Sequence, residues 1–264
     1  MQFRILGPVG AVVNGRFATI PGTRQRTLLA TLLIRARRLV PTEQLYTELW
    51  GDNPPATVEN SLQAHVSRLR RTLRRLAGPH GEVPPLITQA SGYILEVAPE
   101  DVDLYLFREQ LAAARHAVTG DPEVAGALLE GALGLWQGSP MQDVAPGPLC
   151  QSIALQLDEE YLAAQEDRLW MGALFGEPTH VIGELKRMSV AHPWRERITE
   201  MLMRALYRSG RQAEAVEVYN TARQRLVDEL GMEPSPQLKQ LFREVLIQAP
   251  ALHQPAALHL VRSA

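Results

Sequence analysis

The chain has 264 residues, 45% hydrophobic and 21% charged, with a formal net charge of −2 and one cysteine, Cys150. The length leads to an expectation of two domains with proper cores, and a lone cysteine excludes an intrachain disulfide or a thiolate metal cluster. The small net charge conceals an asymmetry: residues 1–97 hold 12 Arg, no Lys and 6 acids, or +6, whereas residues 98–264 carry −8.

In chain order, residues 3–6, 11–13 and 16–20 read as short strands, with Asn14-Gly15 as a turn and Pro21-Gly22 as a stop. Residues 23–39 read as a helix burying Leu28, Leu29, Leu32 and Leu33, ended by Val40-Pro41. Thr42 is expected to N-cap a second helix, 43–50, which buries Leu45, Leu49 and Trp50. The segment 51–56 is a loop by composition.

Residues 57–77 form the most telling segment. Val58, Leu62, Val66, Leu69, Leu73 and Leu76 recur at spacings of three and four, which makes one apolar stripe on a helix turning about 100° per residue. Asn60, Ala64, Ser67 and Arg71 lie opposite that stripe, flanked by Gln63, Arg68, Arg74 and Arg75. Five arginines fall within residues 68–75, and no acid occurs from 60 to 77. A solvated helix normally mixes signs to gain i,i+4 pairs. Here an external polyanion would relieve the repulsion, and a helix of this width fits the DNA major groove. A solvated basic face or a protein-docking surface is the other reading. After a loose stretch, 86–88 and 93–95 flank Gln89-Ala90-Ser91-Gly92 as a β-hairpin. Strands, three helices and a hairpin in this order make a winged helix-turn-helix.

From residue 103 on the pattern is helical: 103–119, 121–136, a long helix to about 175, then 179–191, 193–209, 212–229 and 235–248. Asp121 is expected to cap the second of these. An internal period of 34 aligns 174–176 with 208–210 and 180–185 with 214–219. The unit 205–215, with small residues at helix crossings, Gly210 between helices and a tyrosine filling the groove, is close to the tetratricopeptide pattern. Such a stack binds a protein or peptide, or it builds a rigid platform or dimer surface.

The HVSRLRRTL segment (65–73), the SGYIL wing (91–95) and Leu49-Trp50-Gly51 make residues 1–97 resemble the OmpR-type winged helix. Residues 98–249 resemble the bacterial transcriptional activator domain. That match rests on 133–138 followed by Asp143, on His192-Pro193-Trp194-Arg195-Glu196, on 205–211 and on 228–234. Joined, the two resemble a Streptomyces antibiotic regulatory protein of the small, two-domain kind. The expected fold is mainly α with small β-sheets, with a tail over 250–264. No G-x-x-x-x-G-K-[ST] occurs, so no nucleotide switch is expected.

The third helix is expected to read bases through Asn60, Gln63, Ser67, Arg68 and Arg71. Phosphates fall to His65, Arg70 and Arg74, with Arg24 and Arg26 at the start of the first helix. Ser91, Gly92 and Tyr93 would set the wing against the minor groove, although the Tyr93 ring is expected to pack in the core. Gln89, Ala90 and Ile94 are uncharged where relatives often carry a basic residue. The resemblance implies an activator of secondary-metabolite genes. It would bind direct repeats of double-stranded promoter DNA near the −35 element and recruit RNA polymerase through its σ and α subunits. Asp52, Asn53, Pro54 and Pro55 form the loop that OmpR-type proteins present to polymerase, and side-by-side protomers imply a homodimer on DNA. A repressor, or a scaffold tethered to DNA, is the rival reading. The seven histidines show no H-E-x-x-H or other metal spacing and no G-x-S-x-G occurs, so neither an enzyme nor a cofactor is expected. With no signal peptide before Phe3 and no membrane-length apolar run, a cytoplasmic, nucleoid-associated protein is expected.

Overall fold

The computed structural model describes residues 1–253; the tail expected over 250–264 lies outside the described residues from 254 on. The chain forms two compact units, Met1–Ala112 with Gly131–Leu162, and Ala113–Glu130 with the chain from Ala163 on. Among the described residues no helix is long and apolar enough to cross a membrane.

The first unit opens with an antiparallel sheet of β1 (Gln2–Arg4), β2 (Gly10–Val13) and β3 (Arg16–Thr19). Three helices come next, α1 (Thr23–Ile34), α2 (Thr42–Trp50) and α3 (Val58–Ala77). A second sheet, ordered β4-β6-β5, combines β4 (Val40–Pro41) with the hairpin β5 (Leu86–Gln89) and β6 (Gly92–Leu95). Leu28, Leu29, Leu32 and Leu33 of α1 are fully buried, and Leu62, Val66, Leu69 and Leu73 of α3 pack beside them. The expected stripe is therefore the buried one, with Val58 and Leu76 half-buried at its ends.

Two local expectations are corrected. Helix α1 stops at Ile34 and not at 39, because residues 37–41 are held by the second sheet. Arg37, at φ 60, donates its N–H to Leu95 O at 3.0 Å, and Val40 and Pro41 pair with Tyr93 and Gly92. Thr42 is no N-cap either. It is the first helical residue, and its N–H goes to Ser91 O at 3.0 Å.

Carboxylates join this part of the chain to later segments of the same unit. Asp103 begins α4 (Asp103–Ala117), and its oxygens accept the N–H groups of Ile5, Leu6 and Leu104, all at 2.8–2.9 Å. Asp143 accepts the Val9 N–H at 2.8 Å. Glu48, only 4% exposed, accepts the N–H of Leu149 at 2.5 Å and of Cys150 at 3.3 Å. These are orphan donors in the first turn of α6 (Pro148–Phe175), so a side chain of α2 caps that helix. Gly147 permits the approach, since a Cβ there would come within 2.5 Å of Glu48 Cα. Cys150 is buried with its Sγ 3.6 Å from Thr31 Oγ1, and burial pushes the thiol up to about 12, in keeping with a packing role.

In the second unit, α7 (Pro178–Ala191), α8 (Glu196–Arg208), α9 (Gln212–Leu230) and α10 (Pro236–Leu246) pack in succession. Gly210, at φ 75, turns the chain between α8 and α9, and Ser235 caps α10 by accepting the Leu238 N–H. Asp121 caps α5 (Pro122–Gly134) as expected, accepting the Val124 N–H at 3.1 Å. Tyr219 stacks on Phe242 with ring centroids 3.9 Å apart.

Two of these carboxylates make stability testable. Burial pushes the Asp103 carboxyl up to about 6, outweighing the N–H groups that favour its charged form. An acid raised in the folded state adds stability in full below its ordinary pKa near 4, and this is lost as pH rises through 6. Thermal melts should show wild type losing stability between pH 4 and 7 more steeply than Asp103→Asn. Glu48→Ala strands two buried donors and should cost about 2 kcal/mol in urea unfolding, a loss that Glu48→Gln recovers in part.

Candidate nucleic-acid interface

Helix α3 presents Asn60, Gln63, Ser67, Arg68, Arg71 and Arg74 as exposed side chains, so the five expected reading residues and Arg74 share one open face. Arg75 joins them. Arg68 donates from Nε to Ala64 O at 3.2 Å, which ties the guanidinium to its own helix.

The expected phosphate residues divide. Arg24 is exposed at the start of α1, with one long bond from Nε to Leu49 O at 3.4 Å. Arg26 is turned inward. Its Nε meets Asp143 O at 2.8 Å and Asp143 Oδ2 at 3.0 Å, Nη1 donates to Ile20 O at 3.0 Å, and Nη2 to Thr23 Oγ1 at 3.2 Å. Arg70 is likewise committed within the fold. Its Nε and Nη2 donate to Leu86 O at 3.0 and 2.6 Å, and Nη2 to Thr88 Oγ1 at 2.8 Å, so it clamps α3 to the hairpin. Both guanidinium groups thus hold bonds to main-chain carbonyls of the same fold.

His65 is half-buried. The Gln25 amide donates from Nε2 to His65 Nδ1 and to His65 O, each at 3.1 Å, and the ring meets the Trp50 ring edge-on at 5.8 Å between centroids. An Nδ1 that accepts assigns the ring proton to Nε2. Burial first, then the charges of Arg68 and Arg24, holds the imidazole below its ordinary pKa. His65 therefore stands as a neutral donor and not as a cation. Sequence reasoning misses Gln25, since nothing local connects residues 40 positions apart.

Two clefts flank this face. One, of about 550 Å³, is lined by Asn60, Ala64, His65 and Arg68 of α3 together with Trp50 and Pro55. The other, of about 730 Å³, has Arg24, Arg68, Arg71 and Arg75 on its walls. Neither cleft is lined by a carboxylate.

On the hairpin, Gln89, Ala90 and Ser91 form the exposed tip. Gly92 and Tyr93, expected in the wing contact, follow the tip as buried residues of β6, paired with Gln89 and Thr88. Tyr93 is buried opposite Val40, in line with the packed ring the sequence suggests, and a Cβ on Gly92 would run into the Val40 carbonyl. In the loop before α3, Asp52, Asn53 and Pro54 are exposed and Pro55 is half-buried; Asn53 and Pro55 border the first cleft. Among the described residues no cluster of His, Cys, Asp and Glu could hold a metal ion.

Residues 102–246 match the family "Bacterial transcriptional activator domain", and residues 20–93 match "Transcriptional regulatory protein, C terminal". The chain is 39% identical over 258 residues to "Transcriptional regulator RedD" of Streptomyces coelicolor, covering 98% of this chain and 74% of that protein. It is 34% identical to "Regulatory protein DnrI" of Streptomyces peucetius, covering 96% of this chain and 94% of the relative. The solved structure "Mycobacterium tuberculosis EmbR in complex with low affinity phosphopeptide" is similar at a TM-score of 0.87 and 31% identity, over 94% of this chain and 65% of that one. An OmpR-type winged helix whose third helix carries an open basic face, joined to a bacterial transcriptional activator domain, makes this chain a transcriptional regulator, and it belongs to the Streptomyces antibiotic regulatory protein family.

Proposed function

We propose that this regulator activates genes of a secondary-metabolite pathway by lodging α3 in the major groove of promoter DNA and recruiting RNA polymerase. The observation that carries the proposal is the exposed face of α3, arginine-rich and free of acid from residue 60 on, on a half of the chain with charge +6. Arg68 and Arg71 are forks suited to guanine O6 and N7, while Asn60 and Gln63 suit adenine N6 and N7; Ser67 suits either. Arg24 and Arg74 neutralise phosphates, and His65 donates from neutral Nε2. Arg70 acts one step back, holding the hairpin so that Ser91 at its tip meets the adjacent minor groove.

On this reading residues 1–97 bind DNA and residues 98–249 form the effector domain. Two protomers sit side by side on direct repeats near the −35 element, and the loop Asp52, Asn53, Pro54, Pro55 faces the σ and α subunits of polymerase, with Asp52 supplying charge. The setting is the cytoplasm, on the nucleoid. The resemblance to Streptomyces regulators supports the pathway class, and the acidic second half, kept off DNA by its charge, supports an effector role.

The test is binding of the full chain to promoter fragments at several salt concentrations, followed by transcription with purified polymerase. Arg68→Ala and Arg71→Ala should each cost about 1–3 kcal/mol on the preferred sequence and relax base preference. Arg74→Ala should weaken all sequences about equally and reduce the salt slope by about one. Polymerase-dependent stimulation supports activation, whereas falling transcript at the same occupancy makes the protein a repressor. Binding indifferent to both arginine changes overturns the assignment of α3.

A further inference from the structure

The exposed residues of α3 are Glu59, Asn60, Gln63, Ala64, Ser67, Arg68, Arg71, Arg74 and Arg75. All but one carry a hydrogen-bonding or charged group. The exception, Ala64, stands in the middle of the reading face, one turn after Asn60 and one turn before Arg68. It borders the cleft of about 550 Å³, where Trp50 and Pro55 supply the other apolar walls. Arg68 Nε is bonded to the Ala64 carbonyl at 3.2 Å, so the guanidinium is held against the turn that carries the alanine, and both residues line this cleft.

A methyl at this place offers no donor and no acceptor. A base nitrogen or oxygen pressed against it would lose water and gain no bond, an unfavourable exchange. The major groove displays one apolar group, the 5-methyl of thymine.

We infer that Ala64 is a specificity-determining residue whose side chain packs on a thymine 5-methyl next to the base pair read by Arg68. This rests on the proposed placement of α3 in the major groove. It sets a base preference that no hydrogen bond supplies, and it explains why a face otherwise made of polar and charged groups keeps one alanine.

The experiment uses the full-length chain and a duplex that it selects from a random-sequence pool. Each thymine is replaced in turn by deoxyuridine, which removes only the 5-methyl. One position per recognition site should then bind wild type about fourfold more weakly, the effect of uncovering one methyl group. Ala64→Gly should bind the thymine and deoxyuridine duplexes alike. Glycine also weakens a helix interior, but that cost falls equally on both duplexes and cancels in the double-mutant cycle. Ala64→Ser, which spares the helix and presents a hydroxyl in place of an apolar surface, should also narrow the thymine preference. A selected sequence with no thymine sensitive to the replacement overturns this inference alone, as does full sensitivity persisting in both variants. Failure to select any sequence overturns the major-groove reading and this inference with it.

Discussion

Main-chain N–H groups answered by distant carboxylates hold the first unit together. After β1 the chain leaves the sheet, so Ile5, Leu6 and Val9 have donors with no strand to pair with. Asp103 takes the first two and Asp143 the third. Around them the Gln137 N–H reaches Leu6 O at 2.8 Å and the Met141 N–H reaches Ile5 O at 2.9 Å. A buried donor left unanswered costs about 1–3 kcal/mol, so this short stretch would be a serious liability without partners from around residues 103 and 140. Glu48 repeats the device at the first turn of α6. Stability here comes from apolar packing plus a few acidic side chains placed where backbone polarity would otherwise be buried without an answer.

The same logic sorts the arginines. Arg26 and Arg70 are surrounded by carbonyl oxygens and hydroxyls and act as struts. The remaining arginines of α3 face solvent, and their mutual repulsion is not relieved by any carboxylate lining the two clefts. Arg70 keeps its charge while its donors fasten the hairpin. Arginine donors that the fold engages serve its architecture; those of the exposed arginines face solvent. Composition alone does not separate the two sets, because the distinction depends on which carbonyls lie within reach.

Legibility in the sequence tracks the range of the interactions. The stripe of α3, the hairpin, the N-terminal turn at Asn14-Gly15 and the Asp121 cap depend on neighbours a few residues away, and periodicity or turn chemistry exposes them. The end of α1 is hidden because Leu39 and the basic run before it continue a helical pattern. Only pairing of Val40 with Tyr93, more than fifty residues on, stops the helix. The bonds of Arg26 to Asp143 and of Gln25 to His65 are hidden for the same reason. The basic face is visible as a composition of types, but which of its arginines stay exposed is not. Nor does any sequence signal reveal that Gly131–Leu162 shares a compact unit with Met1–Ala112. The change of sign in charge near residue 98 instead suggests a clean division, because charge reports on the surface and says nothing of buried main-chain bonds.

These long-range bonds also bear on how the face could read DNA. Affinity falls when side chains and loops must be ordered on binding, so a face held in advance loses less. Arg70 ties α3 to β5, the Thr42 N–H ties the start of α2 to the hairpin turn at Ser91, and Gly92 lets β4 lie close against β6. The hairpin is thus fastened at one edge to α3 and at the other to the segment entering α2. The angle between α3 and the hairpin is therefore set by bonds within the fold. An uncharged tip at Gln89-Ala90-Ser91 is consistent with such a design. On the proposed placement of α3, a wing positioned from within needs less electrostatic attraction of its own, and selectivity can be concentrated on the exposed side chains of α3.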